Sequence, residues 1–470
     1  MHMRSRSSVR LASIAAVLVA ALAGCTTVPR DAGLAEVRRD VGASQHIEWR
    51  AETGGGDDER VRKMLTAAPL DADTAVAIAI VNSPRVQVAL SDLGVARGDL
   101  IEAGTVANPI FGAEFRFPAD PVHPFELRLA QSLFDLVQLP RRRRIGEAAF
   151  EAARLHVTSE ILDFAADVRG AYYDLLAASQ RADASRTIAE AANIAADLAR
   201  RQHDAGNIAD LELETEQSHD EEAKLRLARD EEQVLVRREM LIRLLGIHDR
   251  SINWRIAEAF PPLAAGEMTD AEIESTAGSQ RIDVTIARAE MEIARQAIPV
   301  ARLAAIGDAT IDVHLQRDAI GSKTAGPGID LPLPLFGRGT AATTRAEARF
   351  IRSSHRLAEV TLAAESELRI ARDRLREART RAGTYRDVIL PRRERIVQQA
   401  LTLHNAMLAG VYDLLRAKES EAMAEHESIE ALHDYWIARV ELERALSGTS
   451  AMKAVRNQEQ TMIATQGGHP

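Results

Sequence analysis

The sequence predicts a mainly α-helical chain that contributes four β-strands to a small membrane β-barrel. Three observations predict this fold class: an internal duplication, two pairs of segments that alternate apolar and polar residues, and long alanine-rich segments with the spacing of a coiled coil. Aromatic residues make up only 4% of the chain. This composition suits long helices packed through small side chains better than a globular core built on large rings.

Residues 1–24 are predicted to be a lipoprotein signal peptide. A basic start is followed by the apolar run 11–21, which is shorter than the roughly 20 residues that a membrane-spanning helix needs. The ending Leu22-Ala23-Gly24-Cys25 resembles the bacterial lipobox, which implies that Cys25 is acylated (palmitate) and becomes the mature N-terminus. The alternative is a chance cysteine after an ordinary signal. Cys25 is the single cysteine of the sequence, so no disulfide can form within the chain.

The mature chain repeats the same motifs at an offset of about 200 residues. Asn82-Ser83-Pro84-Arg85 opens one half and Ser279-Gln280-Arg281 the other, while Leu244-Leu245-Gly246 matches Leu446-Ser447-Gly448 near the two ends. This is one domain duplicated. The predicted organisation is a lipid-anchored N-terminal periplasmic segment (25–69), a first repeat (70–246), a linker (247–266), a second repeat (267–448) and a polar C-terminal tail (449–470).

Each repeat contains two predicted strands, at about 109–118 and 123–133 and then at about 308–317 and 326–334. Apolar residues alternate with polar ones along them, as in the run Phe111, Gly112, Ala113, Glu114, Phe115. Each run is close to the roughly 9–11 residues of a tilted transmembrane strand, with one face suited to lipid and the other to water. The glycine-rich segment 321–328 is interpreted as a turn, and Pro332 and Pro334 are expected to shorten the last strand.

The helical segments carry a coiled-coil seam with small knobs. The residues that form this seam recur every three or four positions: Ile161, Phe164, Val168, Ala171, Leu175 and Ala178; Leu368, Ala371, Leu375, Ala378 and Ala382; Ala431, Tyr435, Ala438, Leu442 and Ala445. If residues 135–203 form one helix, it is about 100 Å long at about 1.5 Å per residue. A helix of this length suits a duct rather than a compact domain.

Four strands cannot close a barrel, because both sheet edges would leave backbone groups without partners in hydrocarbon. Closed membrane barrels have about 8 strands or more, so the chain must assemble with copies of itself. Two copies give a narrow barrel filled by side chains, whereas three give a 12-stranded barrel with room for a lumen. The predicted protomer is therefore a duplicated set of long coiled-coil helices with four β-strands, part of a larger helical and β-barrel.

The order of motifs resembles the TolC-like outer-membrane efflux protein family, in its lipidated branch. The resemblance rests on short motifs that recur in the same order: Asn82-Ser83-Pro84, Asn108-Pro109, the Arg141 region, Ala205-Gly206-Asn207-Ile208 with Asp210, and Gly410 with Asp413-Leu414-Leu415-Arg416-Ala417. It implies a homotrimer with a 12-stranded barrel, a lipid anchor in the outer membrane and a periplasmic helical tunnel with a gate. It also implies two partners, a periplasmic adaptor (membrane fusion) protein and an inner-membrane pump.

The function expected from this resemblance is passive conduction of small toxic solutes, drugs or metal ions, through the outer membrane. Two alternatives stay open: a type I protein secretion duct, and a lipid-anchored coiled-coil scaffold without a pore. The net charge of −10 argues against a nucleic-acid partner. No phosphate-binding loop, nucleophile elbow or dinucleotide motif occurs. An enzyme is therefore not predicted, and neither are catalytic residues or a cofactor.

The candidate gate lies at the tunnel tip, in the turns at Gly206 and Gly410. The family's gate motif carries two acids after the second turn; Asp413 matches the first, and Arg416 stands where the second is expected, in a turn about three residues shorter. Asp413 and Arg416 could close the tip through ion pairs between subunits, or they could be ordinary solvated charges. Asp210, with neighbouring glutamates, is a further gate candidate that could contact the adaptor, or it lies on an ordinary solvated helix face.

Two further groups of residues are candidates for a function. Arg141, Arg142, Arg143 and Arg144 are expected at the start of the first long helix, where they could bind headgroups at the inner leaflet or simply face water. His426 and His433 share a helix but lie two turns apart, too far for one ion on a straight helix. No metal site is therefore predicted.

Overall fold

The structure, a computed structural model, describes residues 29, 31–42, 47, 59–117, 124–249, 252–264, 281–304, 307–318, 320–333 and 339–449. Cys25, the predicted signal peptide, Pro334 and nearly all of the predicted C-terminal tail lie outside the described residues. The chain divides into two compact units, each built from three segments. The sheet unit comprises Met1–Val37, Ser91–Val157 and Thr285–Glu359, and the helical unit comprises Arg38–Leu90, Thr158–Val284 and Val360–Pro470.

The described elements follow the duplicated order of the sequence. The first half contains α1 (Leu34–Val41), α2 (Glu59–Ala67), α3 (Ala72–Asn82), α4 (Pro84–Ala103), β1 (Ile110–Phe115), β2 (Phe125–Ser132), α5 (Leu133–Asp204) and α6 (Asp210–Leu245). The second half contains α7 (Ile282–Ala304), β3 (Thr310–Arg317), β4 (Lys323–Asp330), α8 (Thr340–Thr384), a π-helical turn (Tyr385–Ile389), α9 (Leu390–Asn405) and α10 (Val411–Ser447). None of the described helices is both long and apolar enough to cross a membrane.

The four strands form a single antiparallel sheet in the order β1-β2-β3-β4. The central pair joins the two repeats, with Leu127 opposite Leu315 and Arg128 opposite His314. The strands β1 and β4 are the edges of the sheet within the protomer. The predicted fold class, long helices with a small four-stranded sheet, is confirmed at the level of one protomer.

The strand β4 begins three residues before its predicted start and ends at Asp330 rather than at residue 334. The turn that precedes it is shorter than expected, because the Asp318 carboxylate accepts hydrogen bonds from the backbone N–H groups of Ile320 (3.1 Å) and Ser322 (2.8 Å). Gly326 and Gly328, interpreted as turn residues, lie inside the strand. An added Cβ at Gly328 would stand only 2.6 Å from Oδ1 of Asp312, so Gly328 makes room for this side chain of β3.

The predicted coiled-coil seam forms the core of the helical unit. All of its members except Ala171 are buried, including Phe164, Val168, Leu175 and Tyr435. The packed residues are small or aliphatic at most positions, which allows the helices to approach closely. The spacing in the sequence therefore located this core correctly.

Each repeat is closed by a polar side chain that binds the end of its own last helix. In the first repeat, Nδ2 of Asn82 donates to the carbonyl oxygens of Leu245 (2.9 Å) and Gly246 (2.8 Å). In the second repeat, Nη1 of Arg281 donates to the carbonyl oxygen of Ala445 (2.8 Å). Arg281 therefore takes the structural place of Asn82, and not that of Arg85, with which the motif order aligned it. In both repeats these contacts satisfy carbonyls that a helix end leaves without partners.

Arg281 lies at the centre of a buried ionic cluster in the helical unit. Its side chain has no exposed surface, and its guanidinium contacts the carboxylates of Asp283 (2.7 Å) and Glu367 (3.0 Å). Burial acts to lower the pKa of this guanidinium, but the hydrogen bonds and charges of Asp283 and Glu367 outweigh it and raise the pKa above its ordinary value. The charge of Arg281 is therefore fully compensated inside the protein.

The second long hairpin contains an irregularity that the first lacks. Residues Tyr385–Ile389 form a π-helical turn that ends two residues before Pro391, whereas α5 is continuous over 72 residues even though it contains Pro140 near its start. Proline has no N–H to donate, and its ring clashes with the carbonyl four residues earlier, so the helix widens by one residue at this point. None of the residues of α9, which follows, is buried within the protomer.

Candidate functional site

The sheet has one apolar face, and this face is exposed. It is formed by Phe111, Ala113, Leu127, Leu129, Ile311, Val313, Leu315, Ala325 and Ile329, which follow from the alternation and the strand register. Val313, in the middle of β3, is 58% exposed, and Phe111 and Ile329 are exposed to a similar degree. Among the described residues, nothing pairs with either edge of the sheet, and an apolar face on such a sheet is unstable in water.

The opposite face of the sheet carries most of its charged residues, whereas Arg317 and Lys323 lie at the turn end of the apolar face. Nη2 of Arg128 on β2 contacts Oδ1 of Asp312 on β3 (3.2 Å) and the carboxylate of Asp330 on β4. Nδ1 of His314 lies 3.5 Å from Oδ2 of Asp312, which is 5% exposed. The sequence predicted a polar face here, but it held no signal that these side chains on three strands form one cluster.

The two tip turns have the same length and the same hydrogen-bond pattern. The first runs from residue 205 to 209 and the second from 406 to 410. Backbone N–H groups of Gly206 and Met407 donate to the carbonyls of His203 and His404, three residues before each. The second turn is therefore as long as the first, and the expectation that it is about three residues shorter than the turn of the family's gate motif stays a prediction. Met407 (φ 59°) is the counterpart of Gly206 (φ 73°), and Gly410 is instead the N-cap of α10.

The predicted gate residues lie at these turns but bind locally within the described protomer. Oδ2 of Asp413 accepts a hydrogen bond from the backbone N–H of Gly410 (3.0 Å), which caps α10. Oδ1 of Asp210 lies 2.7 Å from Nε2 of His203, across the first turn. Arg416 lies on α10, one turn after Asp413.

The structure joins the two tips by a contact that the sequence did not predict. The hydroxyl of Tyr412 donates to Oε1 of Gln202, at 2.9 Å, and so links α10 to the end of α5. Burial, followed by the negative charges of Glu216 and Glu212, raises the pKa of Tyr412. The position of Tyr412 next to Asp413 was a possible signal, but a tyrosine at the start of a helix is common and does not by itself indicate a contact with another helix.

The basic cluster Arg141–Arg144 does not begin the long helix, as was expected. α5 begins at Leu133, directly after β2, so the cluster lies in its third turn. Arg142 binds Asp135 (3.0 Å) and Arg143 binds Glu147 (3.0 Å), whereas Arg141 and Arg144 are exposed. Two of the four charges are thus directed to neighbouring carboxylates.

One of the two histidines weighed as metal ligands, His433, binds an aspartate on another helix. Nε2 of His433 lies 2.8 Å from Oδ1 of Asp174, and the carboxylate of Glu427 accepts a hydrogen bond from Tyr385 (3.0 Å). Within the described ranges, no three residues among His, Cys, Asp and Glu are grouped so that they could hold a metal ion.

Comparison with known proteins gives matches in both sequence and fold. Residues 122–247 match the family described as outer membrane efflux protein. The cobalt-zinc-cadmium resistance protein CzcC of Cupriavidus metallidurans is 21% identical over 389 residues, which cover 81% of this chain and 90% of that protein.

Solved structures extend the similarity in fold. A membrane protein from Pseudomonas aeruginosa (20% identity, TM-score 0.67) covers 86% of this chain and 96% of its own. The outer membrane channel CmeC of Campylobacter jejuni (15% identity, TM-score 0.66) covers 88% of this chain and 93% of its own. The resemblance to the TolC-like outer-membrane efflux proteins is therefore confirmed, in sequence over residues 122–247 and in fold over most of the chain.

Proposed function

We propose that this chain is the outer-membrane channel subunit of a tripartite efflux system and assembles as a homotrimer with a 12-stranded barrel. The observation that carries the proposal is the sheet with one exposed apolar face, one charged face and two open edges. In a membrane, each open edge needs a strand from a neighbouring copy, because unpaired backbone groups in hydrocarbon cost several kcal/mol each. The apolar face then contacts lipid and the charged face lines a water-filled lumen.

The cargo is a small toxic solute, and metal ions are the better supported class. The support is the similarity over most of the chain to CzcC, a cobalt-zinc-cadmium resistance protein. The channel is passive, and an inner-membrane pump supplies the energy. Efflux proteins of the matching family are channels rather than enzymes.

Acylated Cys25 and the exposed residues Arg141 and Arg144 anchor the subunit at the outer membrane.

The tip turns dock a periplasmic adaptor protein. Met407 and Leu408 in the second turn are strongly exposed, as is Leu211, which follows the first turn next to the exposed carboxylate of Asp210. Apolar side chains within a ring of charges are typical of a protein interface. The scaffold without a pore is less well supported, because it assigns no role to the exposed apolar face of the sheet.

The conduit itself is tested by reconstitution of the purified, full-length lipoprotein. We expect a heat-sensitive trimer in detergent and discrete conductance steps when the protein is inserted into planar lipid bilayers. A protein that stays monomeric in detergent and gives no conductance in bilayers contradicts the proposal. Sensitivity of a deletion strain to cobalt, zinc or cadmium, compared with sensitivity to dyes and drugs, then separates the two classes of cargo.

The gate is proposed to be held closed by Tyr412 within each protomer and by Asp413 and Arg416 between protomers. We expect Tyr412→Phe to shift the tip towards its open state by roughly five-fold per protomer, since a typical hydrogen bond contributes about 1 kcal/mol. Arg416→Ala is expected to raise the single-channel conductance as well. Both effects are measured as conductance and open fraction in planar bilayers.

A matched control for this gate experiment is Tyr385→Phe. It also removes a tyrosine hydroxyl, one that binds Glu427 outside the tip turns, and it should leave the conductance unchanged. Equal conductance in the wild type, Tyr412→Phe and Arg416→Ala would show that these residues do not hold the gate.

A further inference from the structure

The charged cluster on the polar face of the sheet holds a carboxylate in excess. This lumen cluster consists of Arg128, Asp312, Asp330 and His314. One guanidinium contacts two carboxylates, so the cluster carries one net negative charge when His314 is neutral. Asp312 is buried beneath Arg128, whereas Asp330 is 62% exposed on the edge strand.

Glycines make this arrangement possible. Arg128 lies on β2, yet it reaches a carboxylate on β4, two strands away, so its side chain must extend across the sheet. Gly326 pairs with His314 and Gly328 pairs with Asp312 in the sheet register. An added Cβ at Gly328 would stand 2.6 Å from Oδ1 of Asp312, so the glycine gives the Asp312 carboxylate the space in which it meets Arg128. The polar face of β4 therefore has no side chains at the two positions that lie opposite His314 and Asp312.

We propose that the lumen cluster sets the ionic selectivity of the pore, with Asp330 giving a preference for cations and Arg128 limiting that preference. The inference rests on the proposed conduit, in which the polar face lines the lumen and three copies form one ring of charge. A ring with excess carboxylate inside low-dielectric walls attracts cations and repels anions. The solutes it favours are small cations, among them hydrated divalent metal ions.

The test is the reversal potential of single channels in a salt gradient. Asp330→Asn removes an exposed carboxylate and should lower the cation-to-anion permeability ratio roughly two-fold at low salt, less at high salt because of screening. Arg128→Gln should raise the ratio by a similar factor. The double variant Arg128→Gln with Asp312→Asn keeps the net charge of the cluster and should return the ratio close to that of the wild type.

The matched control is Lys323→Gln, which removes a positive charge from the opposite face of the same sheet. Lys323 pairs with Arg317 in the register row that also contains Phe115 and Phe125, at the turn end of the strands. The cation-to-anion permeability ratio of Lys323→Gln should equal that of the wild type. If Asp330→Asn and Arg128→Gln form normal channels whose permeability ratios equal that of Lys323→Gln, the lumen cluster does not set the selectivity. The proposed channel function is then unaffected. If the wild-type protein forms no channel, the conduit itself is wrong, and this inference with it.

Discussion

Replacement of Val313 by arginine is expected to prevent assembly of the protein in the membrane. Val313 lies in the middle of β3 on the exposed apolar face of the sheet. An arginine on the lipid face of a barrel costs about 2–4 kcal/mol at the bilayer midplane, and the cost recurs in each subunit of the proposed trimer. The yield of heat-sensitive trimer in the outer-membrane fraction is the measurement, and we expect it to fall at least ten-fold.

The matched control for Val313→Arg is Gln316→Arg on the same strand. Gln316 lies on the polar face opposite Glu126, so an arginine there gains a carboxylate neighbour and stays in water. Its trimer yield should remain close to that of the wild type. Equal yields for the two variants would mean that the apolar face does not contact lipid, and the proposed membrane barrel would then fail.

The second large effect is expected from Arg281→Ala in the helical unit. The substitution leaves Asp283 and Glu367 without their buried partner and removes hydrogen bonds to the carbonyls of Ala364 and Ala445. Breaking a buried ion pair from one side costs about 3–5 kcal/mol. We expect the free energy of unfolding to fall by this amount, measured by chemical denaturation of the protein in detergent.

Arg381→Ala is the control for this measurement, because it also removes an arginine that binds two carboxylates. Arg381 contacts Asp434 (2.7 Å) and Glu377 (3.7 Å), but its side chain is 43% exposed. Exposed pairs contribute about 0–1 kcal/mol, so the free energy of unfolding should change little. If the two variants lose the same stability, burial of the Arg281 cluster has no energetic consequence and the stabilising role assigned to it is wrong.

The sequence determined the periodic features of this protein. The spacing of small apolar residues located the coiled-coil core, and the alternation around Phe111 and Val313 assigned the two faces of the sheet. The duplication gave the order of the elements in both halves. Such features can be predicted from the sequence because each depends on the local period of a helix or a strand, and not on contacts between distant segments.

Only the tertiary structure decided which distant residues meet. It placed Arg281 in the role of Asn82, joined Tyr412 to Gln202 and brought Arg128 to Asp330 across three strands. It also showed that Gly326 and Gly328 are residues of β4 and that Gly328 leaves space for Asp312. In a sequence, a glycine is equally compatible with a turn and with a side chain of a neighbouring strand close to the backbone, because both depend on the missing Cβ. The two cases are distinguished only when the neighbouring strand is known.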